Sequence, residues 1–280
     1  MPQKKNDKPI ILAISSDHHA GSTVGLCPPV FNLDDGGTYK ASAAQRWLWR
    51  CWLEFAQNVQ DTAKRHGTGY TAILNGDVIE GNHHHTVQVV SNNETTQMRI
   101  AEAVLSPLLE DADAAYFVRG TPAHVGQQAR LEERIAENWT NTVQDGDNYT
   151  RWHLPLDVNG TIFDIGHHGA IGRLPWTRAN SVNRIAAQTI VGAHQSGAKC
   201  PNVVLRAHWH QYADSGPNFN GVRVIAMPAW QLVTGYVNKL QPGALADIGG
   251  LIFTCWPGGT YDLEVVRFRP KPTAPERMRS

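Results

Sequence analysis

Ile10-Ile11-Leu12-Ala13-Ile14 runs into Ser15-Ser16-Asp17-His18-His19, so a short apolar stretch ends in residues able to bind a divalent metal. Four further stretches repeat the design. Tyr70-Thr71-Ala72-Ile73-Leu74 leads to Gly76-Asp77, and Ala115-Tyr116-Phe117-Val118 leads to Gly120-Thr121-Pro122-Ala123-His124. Thr161-Ile162-Phe163-Asp164-Ile165 leads to His167-His168, and Val203-Val204-Leu205 leads to His208-Trp209-His210. Short apolar runs bounded by polar or turn residues read as buried strands. Open α/β sheets present their ligands beyond the carboxyl ends of the strands. Five such ends meeting in one place would gather imidazole and carboxylate into a cluster holding more than one metal ion.

Helical spacing fills the gaps between these strands. Trp47, Leu48, Cys51, Trp52, Phe55 and Val59 recur at helical intervals across Ser42 to His66, with Ser42 placed to cap the start and Gly67 the end. The tryptophans Trp47, Trp49 and Trp52 read as packing, not as a base-stacking platform. Further helices are expected over residues 94–105, with Pro107 ending or kinking the helix, over 129–139, and over 179–193. Beyond His210, residues 221–225, 251–254 and 263–268 read as strands separated by Gly/Pro turns without helices. Parallel βαβ units followed by an antiparallel tail predict an α/β fold of two sheets packed face to face and flanked by helices. The chain reads as one domain over 1–280, with frayed tails at 1–8 and 269–280.

Composition sets the bounds. A chain of 280 residues with 41% hydrophobic and 18% charged residues can bury a sizeable core. Its formal net charge of zero gives no bulk electrostatic sign of an obligate nucleic-acid or membrane binder. The polar start and the quickly interrupted apolar run behind it read as neither a signal peptide nor a spanning helix. Cys27, Cys51, Cys200 and Cys255 are scattered, with no CxxC pair, which predicts reduced thiols and a cytoplasmic setting. Thirteen histidines against four cysteines favour nitrogen and oxygen coordination.

The chemistry follows from spacing. Asp17 and His19 are two apart, as are His208 and His210, so in extended chain each pair points to one side. His18 then faces the opposite way and reads as structural. Gly76 would let the chain turn tightly beside a metal, and the Asp77 carboxylate could bridge two ions, one oxygen to each. Ions about 3.5–4 Å apart can clamp the attacking and leaving oxygens of an in-line phosphoryl displacement and acidify the water between them.

The ordered set D-x-H, G-D-x-x-D, G-N-H-D/E, His before Gly, and G-H-x-H belongs to the calcineurin-like metallophosphoesterase family, which residues 10 to 212 closely resemble. Here the elements are Asp17-His18-His19, Gly76-Asp77-Val78-Ile79-Glu80, His168-Gly169 and Ala207-His208-Trp209-His210. The resemblance implies a four-layer α/β/β/α sandwich of two mixed sheets flanked by helices. It also implies that Asp17, His19 and His210 hold one metal, that His168 and His208 hold the other, and that Asp77 bridges them. His168 is preferred over His167 because it precedes Gly169, and His167 then supports it.

Glu80 and Ala207 are mild departures from the pattern. The third motif departs more, because Gly120-Thr121-Pro122-Ala123-His124 replaces Gly-Asn-His. Either Thr121 takes the asparagine position and His124 acts as general acid, or His124 itself binds metal; the first is preferred. Gly-Thr-x-x-His variants of this kind resemble phage and prophage members of the family. His83 and His84, on a loop after Asp77, and Arg173 and Arg178, after the His167-His168 loop, are candidate substrate contacts.

The function so implied is hydrolysis of phosphate esters, with a phosphodiesterase preferred, dependent on two divalent ions (Mn2+ first, Fe or Zn2+ as alternatives). The partner is then a phosphate-ester substrate, a nucleotide or single-stranded nucleic acid among the candidates, and not a membrane. A nuclease with the same site and a non-catalytic metal-binding module are the competing readings.

Overall fold

The computed structural model describes residues 8–83, 86–169 and 177–271. Of the expected tails, residues 1–7 and 272–280 lie outside that set. The amino-terminal half contains β1 (Ile10–Ser15), β2 (Val30–Asn32), β3 (Thr38–Lys40), α1 (Ala43–His66), β4 (Tyr70–Asn75), α2 (Glu94–Leu109) and β5 (Ala114–Val118). There follow α3 (Pro122–Val125), α4 (Arg130–Glu137), β6 (Thr150–Arg151), β7 (Leu154–Val158), β8 (Thr161–Ile165), α5 (Arg178–Ser196) and β9 (Val203–Arg206). The chain closes with β10 (Ala213–Asp214), β11 (Arg223–Ala226), α6 (Gly235–Leu240), β12 (Ile248–Trp256) and β13 (Thr260–Phe268).

Alternation along the strands sorts the core into layers, because successive side chains of a strand face opposite sides of its sheet. The first sheet has the order β13-β12-β1-β4-β5-β6 and the second β10-β11-β9-β8-β7. Ile11 and Ala13 of β1 pack with Leu48, Trp52 and Phe55 of α1 and with Ile100 and Val104 of α2. Leu12 and Ile14 turn the other way and meet Phe163, Ile165, Val203 and Leu205 of the second sheet. Val204 and Val224 then face Val182 and Ala186 of α5. The result is the four-layer α/β/β/α sandwich of two mixed sheets that the resemblance implies.

The connections follow the expected parallel front and antiparallel tail except at β11. β1, β4, β5 and β6 are mutually parallel. β12 returns antiparallel to β1, and β13 antiparallel to β12. β11, grouped in sequence with the tail, instead pairs parallel with β9 in the second sheet. β7 was not expected. Pro155 and Asp157 interrupt its pattern, but β7 is an edge strand, where a missing N–H is tolerated. Asn159 and Gly160, both at positive φ, turn β7 into β8 as a hairpin.

α1 carries the expected caps. Ser42 accepts from the backbone N–H of Gln45 in a full capping box, and Gly67 closes the helix in the left-handed conformation. α2 runs through Pro107 to Leu109 rather than stopping near 105. Leu108 and Leu109 are fully buried there, which offsets the one hydrogen bond that proline removes. α4 is shorter than expected and α5 extends by one residue at its start and three at its end. All four cysteines are free. Among the described residues, no helix is long and apolar enough to cross a membrane.

Trp52 joins the layers under the future site: its indole N–H donates to the Val104 carbonyl at 2.7 Å, and its ring meets His18, Phe55 and Trp230. Trp52→Ala should lower unfolding free energy by about 3–5 kcal/mol, the usual cost of emptying such a buried aromatic site. Urea unfolding measures this, and a loss below about 1 kcal/mol would contradict the packing described.

Candidate metal centre

Every candidate ligand lies just past the carboxyl end of a parallel strand. Asp17 and His19 follow β1, Asp77 follows β4, Thr121 follows β5, His167 and His168 follow β8, and His208 and His210 follow β9. Three of these strands belong to the first sheet and two to the second, so the cluster straddles the end of the sandwich. Backbone bonds tie the loops together: Asp17 N–H donates to the Gly76 carbonyl and His19 N–H to the Asp77 carbonyl, each at 3.0 Å, and Ala207 N–H to the His167 carbonyl at 2.7 Å.

The ligand loops are not extended chain. Asp17, His19, Asp77, His208 and His210 all have φ between 46° and 75°, the left-handed region that non-glycine residues rarely occupy. The alternation argument for Asp17/His19 and His208/His210 therefore had the wrong geometry, although each pair still converges. Such backbone costs of order 1–3 kcal/mol per residue and tends to collect where a site needs it. Gly76, itself at a φ of 83°, is needed for a second reason as well. A Cβ there would stand 2.4 Å from His167 Nδ1 and 2.8 Å from the Gly120 Cα.

Ligand atoms of Asp17, His19 and His210 lie within 4.8 Å of one another, as do those of His167, His168 and His208, and those of Asp17, Asp77 and His167. Asp77 is thus placed between the two groups. His210 Nε2 is 3.2 Å from Asp17 Oδ1, and His167 Nε2 is 3.0 Å from Asp77 Oδ2. The Thr121 hydroxyl sits centrally, 3.0 Å from both Asp77 Oδ2 and His208 Nδ1, 3.3 Å from His168 Nε2 and 3.4 Å from His167 Nε2. Thr121 begins α3 without capping it by its side chain, since that hydroxyl is turned to Asp77 instead.

The protons locate the lone pairs. A carbonyl can only accept, so His167 Nδ1, 2.6 Å from the Asn75 oxygen, carries the proton. His124 Nδ1 likewise donates to the Glu80 carbonyl at 2.8 Å, and His19 Nδ1 to the Glu80 carboxylate at 2.8 Å. The remaining Nε2 atoms then hold lone pairs in the neutral rings. His19 Nε2 faces His210 Nε2 at 3.1 Å, and His167 Nε2 faces a carboxylate. Asp17 Oδ1 is buried and, among the described residues, accepts no hydrogen bond. Crowded lone pairs beside an orphaned carboxylate oxygen fit a cationic occupant, and the oxygen and nitrogen donors suit divalent ions.

In their charged forms the same groups attract one another instead. Burial alone would raise the Asp17 carboxyl, yet the His210 and His167 imidazoles bring it below the usual carboxylate range. Burial likewise opposes ionisation of Asp77, and His167 more than reverses it. Burial disfavours a charged His167, but Asp77 and Asp17 raise it to about 10. Glu80 is held low against burial by hydrogen bonds from His19 and His83. His124 is lowered to about 4 by burial and by His19.

The remaining sequence candidates divide. His18 is buried, bonds to Ser15 Oγ at 2.9 Å and packs on Trp52, as a structural residue does. His83 bonds to Glu80 Oε1 at 2.9 Å and its ring lies 4.2 Å from that of His124. Arg178 is paired with Asp247 at 3.3 Å, an engagement the sequence did not foretell. His84 and Arg173 lie outside the described residues. Sequence reasoning also missed Glu132, a buried carboxylate beneath Asp77; in Leu131-Glu132-Glu133-Arg134 it looks like an ordinary solvated helix charge.

No family model matches the sequence, and no curated protein matches it. Among solved structures the chain is similar to Vps29 from Entamoeba histolytica, complexed with Zn2+, at 9% identity over 92% of this chain and 98% of that one, with a TM-score of 0.40. It is similar to a conserved uncharacterized protein from Streptococcus pneumoniae, described as a predicted phosphoesterase, at 10% identity over 91% and 97%, with a TM-score of 0.34. It is also similar to the sulfate thiohydrolase SoxB from Thermus thermophilus at 13% identity over 92% of this chain but 56% of that one, with a TM-score of 0.39. Likeness this distant leaves the site to be argued from the chain's own residues.

Geometry separates the two adjacent histidines. His167 is 1% exposed with its tautomer fixed by Asn75, whereas His168 is exposed. Elemental analysis of metal-loaded variants should find His167→Ala short of one ion and His168→Ala keeping both with weaker retention. The reverse pattern would return the ligand role to His168 alone.

Proposed function

We propose that this protein is a dinuclear metal-dependent phosphoesterase of the calcineurin-like kind, acting on phosphodiesters. The observation that carries the reading is the placement of the Asp77 carboxylate between an Asp17/His19/His210 group and a His167/His168/His208 group. Asp17, His19 and His210 would hold one ion, His167 and His208 the other, with Asp77 shared and Thr121 and His168 beside the second. When bound, two such ions supply Lewis acidity to the phosphoryl oxygens and lower the pKa of the attacking water. Mn2+ is the ion we favour, with Fe or Zn2+ as alternatives.

The chain's own groups supply orientation and proton transfer. Glu80 accepts from His19 Nδ1 and fixes that ring with its Nε2 inward, and Gln231 Nε2 holds the same carboxylate at 3.0 Å. His124 is locked through Nδ1 to the Glu80 carbonyl, so Nε2 is its working atom. A proton taken up there from solvent would pass to the departing alkoxide, and the lowered pKa of His124 makes that Nε2–H a ready donor. His83, packed on His124 and held by Glu80, borders a cavity of about 390 Å3 shared with Asn82, Gln127 and Arg130, where a leaving group has room. The free thiols support the cytoplasmic setting expected from the sequence.

A non-catalytic metal-binding module is the competing reading, favoured by one observation: Thr121 stands where the family has asparagine. Manganese-dependent hydrolysis of bis(p-nitrophenyl) phosphate separates the two, and its absence from a protein with both ions bound would favour the module. Comparison with p-nitrophenyl phosphate and single-stranded DNA tests the phosphodiesterase preference against the monoesterase and nuclease alternatives.

Asp77→Ala should abolish turnover and lower metal content together; normal turnover in that variant would refute the shared-carboxylate assignment. His124→Ala should cut kcat about 100-fold or more while both ions stay bound. Loss of an ion from that variant would move His124 to the ligand set.

A further inference from the structure

α4 carries a carboxylate that the reaction above does not use. Glu132 is 1% exposed. One oxygen, Oε1, accepts the backbone N–H of Val78 at 3.0 Å, and the other, Oε2, accepts the backbone N–H of Gly120 at 2.8 Å. Val78 directly follows Asp77 and Gly120 directly precedes Thr121. Those two residues are themselves joined: Thr121 N–H donates to Asp77 Oδ1 at 2.6 Å and the Thr121 hydroxyl to Asp77 Oδ2 at 3.0 Å. A closed ring of hydrogen bonds therefore runs from Asp77 through Val78, Glu132, Gly120 and Thr121 back to Asp77.

We propose that Glu132 is a positioning residue that locks the loops after β4 and β5 together, and so sets where the shared carboxylate of Asp77 and the hydroxyl of Thr121 stand. The inference rests on the dinuclear reading above. Three features make a carboxylate the fitting clamp. Two backbone donors on different loops need two acceptors on one rigid group, which a carboxylate offers and an amide does not. The loops touch so closely that a Cβ on Gly120 would lie 2.3 Å from both the Asp77 backbone nitrogen and Asp77 Oδ1, so small slippage is felt at the ligand. Asp77 is also held at a φ of 52°, a conformation that persists only where the surroundings fix it. The neighbour Glu133 provides an internal comparison, since its Oε2 accepts the Thr150 N–H at 3.1 Å on β6 and pairs with the Arg119 guanidinium at 3.7 Å, so it holds side chain and strand rather than the backbone N–H groups flanking Asp77 and Thr121.

Glu132→Gln keeps the volume but turns one acceptor into an N–H2 group facing a backbone N–H. The test uses the full-length protein reconstituted with Mn2+. Electron paramagnetic resonance reports the magnetic coupling between the two ions, and steady-state kinetics report kcat and KM on bis(p-nitrophenyl) phosphate. E132Q should bind two Mn2+ with an altered coupling signal, and kcat should fall about 10- to 100-fold, the scale expected when reacting groups are displaced by a fraction of an ångström to one ångström. KM should move less than about twofold. Glu133→Gln should leave coupling and kcat unchanged, even if both variants lose thermal stability. If E132Q does not fold, Glu132→Asp, which keeps both acceptors but withdraws them by one methylene, takes its place with the same expectations. Wild-type coupling and kcat in the folded Glu132 variant, or equal kinetic losses in both glutamate variants, would overturn the proposal. A wild-type protein that binds Mn2+ without any coupled pair would overturn the dinuclear reading and this one with it, whereas a coupled wild type with an indifferent E132Q overturns only the role of Glu132.

Discussion

Two carboxylates taken out of water beside one another are the constraint on which the rest of the structure turns. Asp17 is 0% and Asp77 1% exposed, and they stand at the ends of adjacent parallel strands. Desolvation and mutual repulsion both oppose their ionisation, so the pocket is stable only when positive charge is brought to it. Burial opposes both charges, and the imidazoles of His210 and His167 beside Asp17, and of His167 beside Asp77, outweigh it and keep both carboxyls below their usual range. Divalent ions would do the same with greater charge and would free those nitrogens to act as ligands.

The sandwich exists, in functional terms, to bring these groups from two sheets to one place. Leu12, Ile14, Phe163, Leu205 and Phe253 fill the space between the sheets. Their packing fixes how the ends of β8 and β9 stand over the ends of β1 and β4. Loop-to-loop backbone bonds, glycine contacts and the left-handed backbone of the candidate ligand residues then hold these side chains close together. Side chains held in this way would lower the ordering cost of binding an ion.

Much of this was legible in the sequence, for a physical reason. Strand periodicity and helix caps are local, so β1, β4, β5, β8, β9 and the ends of α1 could be read from neighbouring residues, and with them the order of the candidate ligands along the chain. What was hidden depends on tertiary context. Pro155 and Asp157 disguise β7 because only its place at a sheet edge excuses them. Pro107 looks like a helix stop until the burial of Leu108 and Leu109 is known. β11 pairs parallel with β9 because of its position in space, not its composition. Adjacent histidines such as His167 and His168 differ in burial and in hydrogen-bond partners, which spacing does not encode. Glu132 was invisible because its partners are backbone amides 12 and 54 residues away.

The most direct measurement is the anomalous difference map of crystals grown with Mn2+. The account predicts two peaks about 3.5–4 Å apart, one against Asp17, His19 and His210, the other against His167 and His208, with Asp77 touching both. A single peak, two peaks that do not share Asp77, or ions seated away from these residues would contradict it.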